Sequence, residues 1–291
     1  MEVQGIDVSH YQGRIDWKKV ADSGVKFAIF KCQYEAQSHR IDETFEYNYE
    51  EAGKADIARG VYIYIARASM ADPELDANSL LRHLKGRKLE YGIWLDLEDK
   101  TVEAKGKAYI RDLAFKYADI FMKAGYFVGI YCNRDWYIRL IHQDLKDTFD
   151  FWIARYPKND YGIYNQHSTL KPSPSMAVAW QYSSKGNVPG INAKVDLDVD
   201  YDGIVNLVRN SHEIKPQNPY KVTLKVLREN SKGESVKALQ WALNQHGANL
   251  IIDGLFGKKT KLAVVLFQKD HGLVVDGIVG QKTMQALNIG S

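Results

Sequence analysis

Cysteine is nearly missing from this chain: Cys32 and Cys132 are the only two among 291 residues. Both fall in apolar, strand-like runs, Phe27–Cys32 and Val128–Cys132, so two reduced core thiols are expected rather than a disulfide. No Cys pair is close in sequence and no His pair has zinc-ligand spacing, so neither a metal nor a cofactor is expected. No apolar run approaches the ~18 residues that a membrane span needs, which leaves no membrane anchor. The start, Met1-Glu2-Val3-Gln4-Gly5-Ile6-Asp7, has neither a basic segment nor an apolar one, so no secretory leader is expected and synthesis in the cytoplasm follows. No G-x-G-x-x-G turn follows the first strand candidates, which argues against a dinucleotide-binding fold.

What is present is ordinary in bulk and uneven in distribution. Hydrophobic content of 45% and charged content of 26% suit a soluble globular protein. The 18 Tyr and 6 Trp suit surfaces that stack on sugars or peptides, and equally a core. Residues 220–291 carry ten Lys and Arg against five Asp and Glu, a charge of +5, which leaves −2 on the remainder of a chain whose total is +3. A basic C-terminal module beside a larger acidic part suggests a polyanionic target. Its basic residues are scattered and no nucleic-acid motif appears, so nucleic acid is not expected as a partner.

Three regions follow from the pattern along the chain. Residues 1–210 alternate strand candidates (Val25–Cys32, Gly60–Ala66, Gly92–Leu97, Phe127–Cys132, Phe151–Tyr156, Ala177–Tyr182) with helical stretches (Glu43–Ala58, Asp72–Lys85, Gly106–Ala124). Such β–α alternation points to a parallel sheet, either barrel or doubly wound. The last strands have little helix between them, which makes a regular eightfold barrel doubtful. Residues 211–220, polar and with two prolines, read as a linker. Residues 221–291 contain a repeat: Asp253-Gly254-Leu255-Phe256-Gly257 returns 23 positions later as Asp276-Gly277-Ile278-Val279-Gly280. Each copy is a turn that leads into a helix, and the helical runs Val236–Asn244, Thr260–Asp270 and Gln281–Leu287 make a small bundle. The bundle has no catalytic constellation of its own. It suits binding or stabilisation, and its Asp-Gly turns and Trp241 can equally be structural.

The most informative segment is Ile93-Trp94-Leu95-Asp96-Leu97-Glu98-Asp99. A strand alternates its faces, so Asp96 and Glu98 project to the same side with Cα atoms roughly 6.5–7 Å apart. An apolar strand that delivers two carboxylates at its C-terminal end resembles the mouth of an α/β barrel. Two nearby carboxylates are the minimum equipment for cutting a glycosidic bond; the bland alternative is a capped strand end. Asp7 follows a short first strand, and Asp196 opens the alternation Val195-Asp196-Leu197-Asp198-Val199-Asp200. First and last strands are neighbours in a barrel, so Asp7 and Asp196 are expected near Asp96 and Glu98. Crowded acids raise one another's pKa, as a general acid needs. Asp198 and Asp200 read as helix caps or turn residues and stay outside the expected site.

Five motifs then carry a resemblance: Asp7-Val8-Ser9-His10-Tyr11-Gln12-Gly13, the pair Asp96/Glu98, Trp152-Ile153-Ala154-Arg155-Tyr156, Trp180-Gln181-Tyr182-Ser183 and Val188-Pro189-Gly190-Ile191 leading to Val195-Asp196. In order and over nearly all of residues 1–210, they resemble glycoside hydrolase family 25, the Chalaropsis-type lysozymes common among phage endolysins. The C-terminal repeat with Phe267-Gln268 resembles the type 1 peptidoglycan-binding domain. The resemblance implies an α/β fold, a modified TIM-like (β/α) barrel that lacks some late helices, with a second small three-helix domain. It implies a muramidase that hydrolyses the β-1,4 bond between N-acetylmuramic acid and N-acetylglucosamine in bacterial peptidoglycan. By motif, Glu98 takes the place of the proton donor and Asp96 that of the acid steering the acetamido group or a water. Asp7 and Asp196 take the flanking places. Lys31, Tyr62, Tyr131 and Trp180 would bind or line the sugar groove.

The resemblance further implies action on the cell wall after release from a host, as an endolysin. An autolysin of the same chemistry, or a wall-binding protein without hydrolysis, are the alternatives. Two departures bear on subsite preference. Cys32-Gln33-Tyr34-Glu35-Ala36 stands where the family often has Glu-Gly after the lysine, and Tyr62-Ile63-Tyr64 stands where many members have Tyr-His-Phe.

Overall fold

A computed structural model describes residues 2–33, 40–201, 203–205, 208, 218–224, 226–248 and 250–289. The chain divides into two compact units, Met1–Glu213 and Ile214–Ser291. Most of the linker expected at 211–220, and residues 34–36 of the first family departure, lie outside the described residues. Among the described residues no helix is long and apolar enough to cross a membrane.

The first unit is a closed barrel of eight strands: β1 Val3–Val8, β2 Phe27–Lys31, β3 Ala58–Tyr64, β4 Ile93–Asp96, β5 Val128–Asn133, β6 Phe151–Ala154, β7 Ala179–Gly186 and β8 Val195–Asp200. Neighbours from β1 to β7 pair in parallel, whereas β8 runs antiparallel to both β7 and β1. A parallel crossover needs about a dozen residues or more. The eight residues between β7 and β8 suffice only for a hairpin, which forces the reversal. The expected late loss of helices is therefore real, and the barrel still closes.

The strands read as continuous apolar runs because both faces are covered. Ile6, Phe30, Ile63, Leu95, Ile130 and Ile153 face the surrounding helices. Phe27, Ile29, Tyr91, Trp94, Phe127, Tyr131 and Trp152 fill the interior. Phe27 stacks on Tyr91 with centroids 4.1 Å apart. Large rings fit inside because glycine stands opposite them. A Cβ on Gly5 would lie 2.3 Å from the Phe27 ring, and one on Gly129 2.4 Å from that of Trp94.

The helices follow their sequence signals with local corrections. The long helix at Lys107–Lys123 lies within the expected Gly106–Ala124. The helix Pro73–Leu84 starts where Asp72 accepts from the Leu75 amide, with Pro at its first turn. The helix expected over Glu43–Ala58 is shorter, Phe45–Lys54. Asp56 adopts a left-handed φ of 59°, which turns the chain so that Ala58 can begin β3 by bonding Lys26 O. Cys32 and Cys132 are free and buried, and burial pushes both thiols far above their ordinary range.

The second unit packs three helices, Glu234–Gln245, Lys258–Asp270 and Gln281–Ala286, around Leu227, Val236, Leu239, Phe256, Val264, Phe267 and Met284. The repeat is a repeated bonding unit. Gln240 donates to Asp253 Oδ1 (2.8 Å) and Leu255 O (3.1 Å) and accepts from Gly254 N (2.9 Å). Gln268 does the same with Asp276 Oδ1 (3.0 Å), Ile278 O (2.9 Å) and Gly277 N (2.9 Å). The two Asp-Gly turns are thus held from below by a buried glutamine, which gives them a structural role.

Candidate active site

The strand register alone brings most of the expected site residues together. Asp7 on β1 stands opposite Asp196 on β8. Lys31 pairs with Tyr62, Tyr64 with Asp96, and Asp96 with Tyr131, so the acids and phenols form one belt at the C-terminal ends of the parallel strands. At that mouth lies a pit of about 170 Å³ lined by Asp7, Tyr62, Asp96, Glu98, Tyr131, Trp152, Tyr156, Gln181 and Asp196. Asp96 ends β4, and Glu98 follows it by two residues onto the same rim, as the alternation predicts. Larger surface grooves exist, but the one between Trp17 and Tyr47 has none of these acids in its lining.

Each acid is lifted by its surroundings, and the causes differ. Asp96 is held well above the usual carboxylate range by burial first and then by the charge of Glu98, with Lys31 pulling the other way. Its Oδ1 is buried without a hydrogen-bond partner, which adds to the cost of ionising it. Glu98 is raised by burial, Lys31 opposes that, and Asp99 adds to it. The expectation that Asp7, Asp96 and Asp196 park the proton on Glu98 needs this correction: burial is the main cause, and Asp99 is the neighbouring acid that reinforces it. Asp99 itself is held low despite partial burial, because it accepts from Thr101 and Val102 as the cap of a short helix and from Tyr64 OH at 3.2 Å. Since Asp96 and Glu98 both rise, their proton belongs to the pair. Asp196 is raised to about 6 by burial, Glu98 and Asp160.

Lys31 is buried at the end of β2, with its ammonium 5.4 Å from the Tyr64 ring centre. Its charge reaches both Asp96 and Glu98. Tyr62 and Tyr131 line the pit as expected. Trp180 does not, and that expectation is corrected. Period two along β7 turns Trp180 outward, where it is 2% exposed and its indole donates to Arg155 O at 2.9 Å. Its neighbour Gln181 faces inward instead.

Gln181, Trp152 and Tyr156 are the site residues that sequence reasoning passed over. Tyr131 OH (2.8 Å) and Tyr156 OH donate to Gln181 Oε1, and Gln181 Nε2 donates to Asp7 Oδ2 at 2.6 Å. One amide therefore fixes two phenols and one carboxyl. Trp152 donates its indole N–H to Asp198 Oδ1 at 2.9 Å. The available signal was a lone amide in an apolar strand candidate, which must find partners once buried. Asp198, read as a cap or turn residue, is instead fully buried in β8. Asp200 is part cap, accepting from Gly203 N at 3.1 Å, and part interior, accepting from Tyr91 OH at 3.1 Å. Among the described residues no three His, Cys, Asp or Glu side chains are arranged to hold a metal ion.

A barrel whose mouth gathers several lifted carboxyls beside aromatic walls has the architecture of an enzyme acting on sugars. Comparison with known proteins makes this specific. The model of "Glycosyl hydrolases family 25" matches residues 6–191, and that of "Putative peptidoglycan binding domain" matches residues 232–287. The autolytic lysozyme of Clostridium acetobutylicum is 30% identical over 274 residues, which is 93% of this chain and 74% of that protein. The autolysin LytC of Streptococcus pneumoniae, solved with a synthetic peptidoglycan ligand, is 27% identical with a TM-score of 0.57, covering 69% of this chain and 47% of that one. The CTP1L endolysin shares the fold at 22% identity and a TM-score of 0.58, covering 72% of this chain and 70% of that one. The chain belongs to glycosyl hydrolase family 25 and is a glycoside hydrolase.

Proposed function

We propose that this protein is a muramidase that cuts the β-1,4 bond between N-acetylmuramic acid and N-acetylglucosamine in bacterial peptidoglycan. The observation that carries the reading is the convergence of Asp7, Asp96, Glu98 and Asp196 on one pit at the barrel mouth. In this reading Glu98 gives its proton to the leaving oxygen. Burial raises this carboxyl above its ordinary range, the direction a proton donor needs. Positive charge then grows at the anomeric carbon, and Asp96, once ionised, stabilises it or the acetamido group that closes on it. With the one proton of the pair on Glu98, Asp96 is the carboxylate; burial makes that charge costly and the Lys31 ammonium offsets it. Asp7 and Asp196 complete the acid lining of the pit, and Tyr62, Tyr131 and Trp152 shape the walls against the sugar.

Digestion of purified walls tests the assignment, with new reducing ends as the expected product and product masses identifying the bond. Glu98→Gln should lose on the order of 10²–10⁴-fold in rate. Near-normal release of reducing ends by a folded Glu98→Gln protein ends the assignment, and wall binding without any reducing ends leaves a non-hydrolytic wall binder.

The C-terminal bundle in this reading holds the barrel on the wall by effective concentration, with residues 211–220 as the linker between parts 1–210 and 221–291. Its net charge suits the anionic polymers of a wall. Truncation after Arg209 should spare hydrolysis of soluble fragments and weaken sedimentation with whole walls; equal sedimentation of both forms rejects the tethering role. The biological setting is wall lysis, by a released endolysin or by an autolysin.

A further inference from the structure

Beneath the pit lies a buried acid that the mechanism above leaves unused. Asp198 is 0% exposed, and Asp7 is 6% exposed. The antiparallel register sets Asp198 opposite Gly5, one step below Asp7. Gly5 has no side chain to fill that level. Asp198 Oδ1 takes the Trp152 indole proton, and Asp198 Oδ2 has no N–H or O–H donor. Asp7 Oδ2 takes the Gln181 amide. The register makes Asp7 and Asp198 diagonal neighbours on one face of adjacent strands, and Gln181, which bonds Asp7, stands opposite Asp198, so the two carboxyls lie within reach of each other. Two ionised carboxylates have no proton to put between them, and a buried oxygen without a donor is costly. A single proton on the pair satisfies both requirements.

We propose that Asp198 is a positioning residue that holds one proton in common with Asp7 and seats the Trp152 indole as a wall of the pit. This rests on the muramidase reading only for its effect on rate. The shared proton keeps the pair at one negative charge, placed at Asp198 away from the substrate. Around the pair stand Asp196 from the rim of β8, Tyr131 from β5, Tyr156 from beyond β6 and Tyr62 from β3, while Tyr182 feels the Asp198 charge from the outer face of β7. Lys31 acts on Asp96 and Glu98 across the barrel. Burial and the neighbouring acids both raise the affinity of the pair for that proton.

Asp198→Asn tests the proposal. The amide introduced there still accepts from Trp152 and now donates to Asp7, so no proton is needed and the charge moves up to Asp7 beside Asp196. Infrared spectra at pH 7 should lose the carbonyl band of one protonated carboxyl. In the muramidase reading Asp196 supports the growing cation as a carboxylate, so the acid limb of the pH–kcat profile on purified walls should rise by about half a unit to one unit as Asp196 becomes harder to ionise. Asp7→Asn, read by infrared alone, provides the mirror: it should lose the same single band, since the proton is common property. If either folded variant keeps the full band, or if Asp198→Asn keeps the wild-type pH profile, the proposal falls. Failure of the muramidase reading looks different: wild-type protein would release no reducing ends, and the infrared result would stand on its own.

Discussion

Asp196→Asn separates what the acid cluster costs from what it does. In the folded chain burial, Glu98 and Asp160 push this carboxyl from 3.8 to about 6. In the unfolded chain it returns to its ordinary value. Between those two values the folded state binds more protons, so its stability falls as pH rises from roughly 4 to 6, and the full penalty is present above that. A shift of about two units at about 1.4 kcal/mol each sets the penalty at about 3 kcal/mol. The amide keeps the shape and removes the charge. Asp196→Asn should therefore be more stable than wild type at pH 7.5 by up to about 3 kcal/mol, equal to it at pH 4, and slower on walls. Urea unfolding followed by tryptophan fluorescence at both pH values gives the difference, which includes the relief of Asp7 and Asp198, both lifted by the Asp196 charge. An equal loss of stability at both pH values would refute the reasoning, because it would mean that the carboxyl makes favourable native bonds irrespective of charge.

Two further outcomes follow from the contacts. Gln240→Leu and Gln268→Leu each strand the same set of partners, a turn amide, a carbonyl and an Asp, so each should cost the C-terminal unit about 2–4 kcal/mol in denaturant unfolding; a substitution that costs nothing would break the equivalence of the two copies. Trp152→Phe should lower kcat/KM on wall fragments roughly tenfold, whereas Trp180→Phe should lower stability by about 1 kcal/mol and leave kcat/KM unchanged; the reverse pattern would put Trp180 in the groove.

The fold was legible where period and apolarity agree. Continuous apolar runs marked β2 to β7 to within a few residues, because strands covered on both faces admit little else. Asp96 and Glu98 were legible because two residues are one full period of a strand, and Asp7 with Asp196 because closure makes the first and last strands neighbours. What failed was phase. On β7 the motif around Trp180 was recognised as belonging to the site, but which of two adjacent residues faces inward depends on the barrel's register, and the register put Gln181 inside. The Gln240 and Gln268 units escaped for another reason. Their turns repeat at 23 residues, but the two glutamines stand 28 apart, so a single offset does not align them.

The reversal of β8 explains why three acids at period two can share one strand. Had β8 run parallel, Asp200 would stand at the mouth and Asp196 at the floor. Running antiparallel, it grades them by depth, and each depth has its own means of carrying an acid. Asp196 at the rim is partly exposed and reaches water. Asp200 at the floor has Tyr91 OH and the amides of the following turn. Asp198 between them has one indole proton and a neighbouring carboxyl, which leaves an oxygen short of a donor. An acid in that middle position must carry a proton or share one. The alternation Val195-Asp196-Leu197-Asp198-Val199-Asp200 therefore sets one acid at the rim within reach of water, one in the middle that shares a proton with Asp7, and one at the floor held by donors, and the substrate meets only the first.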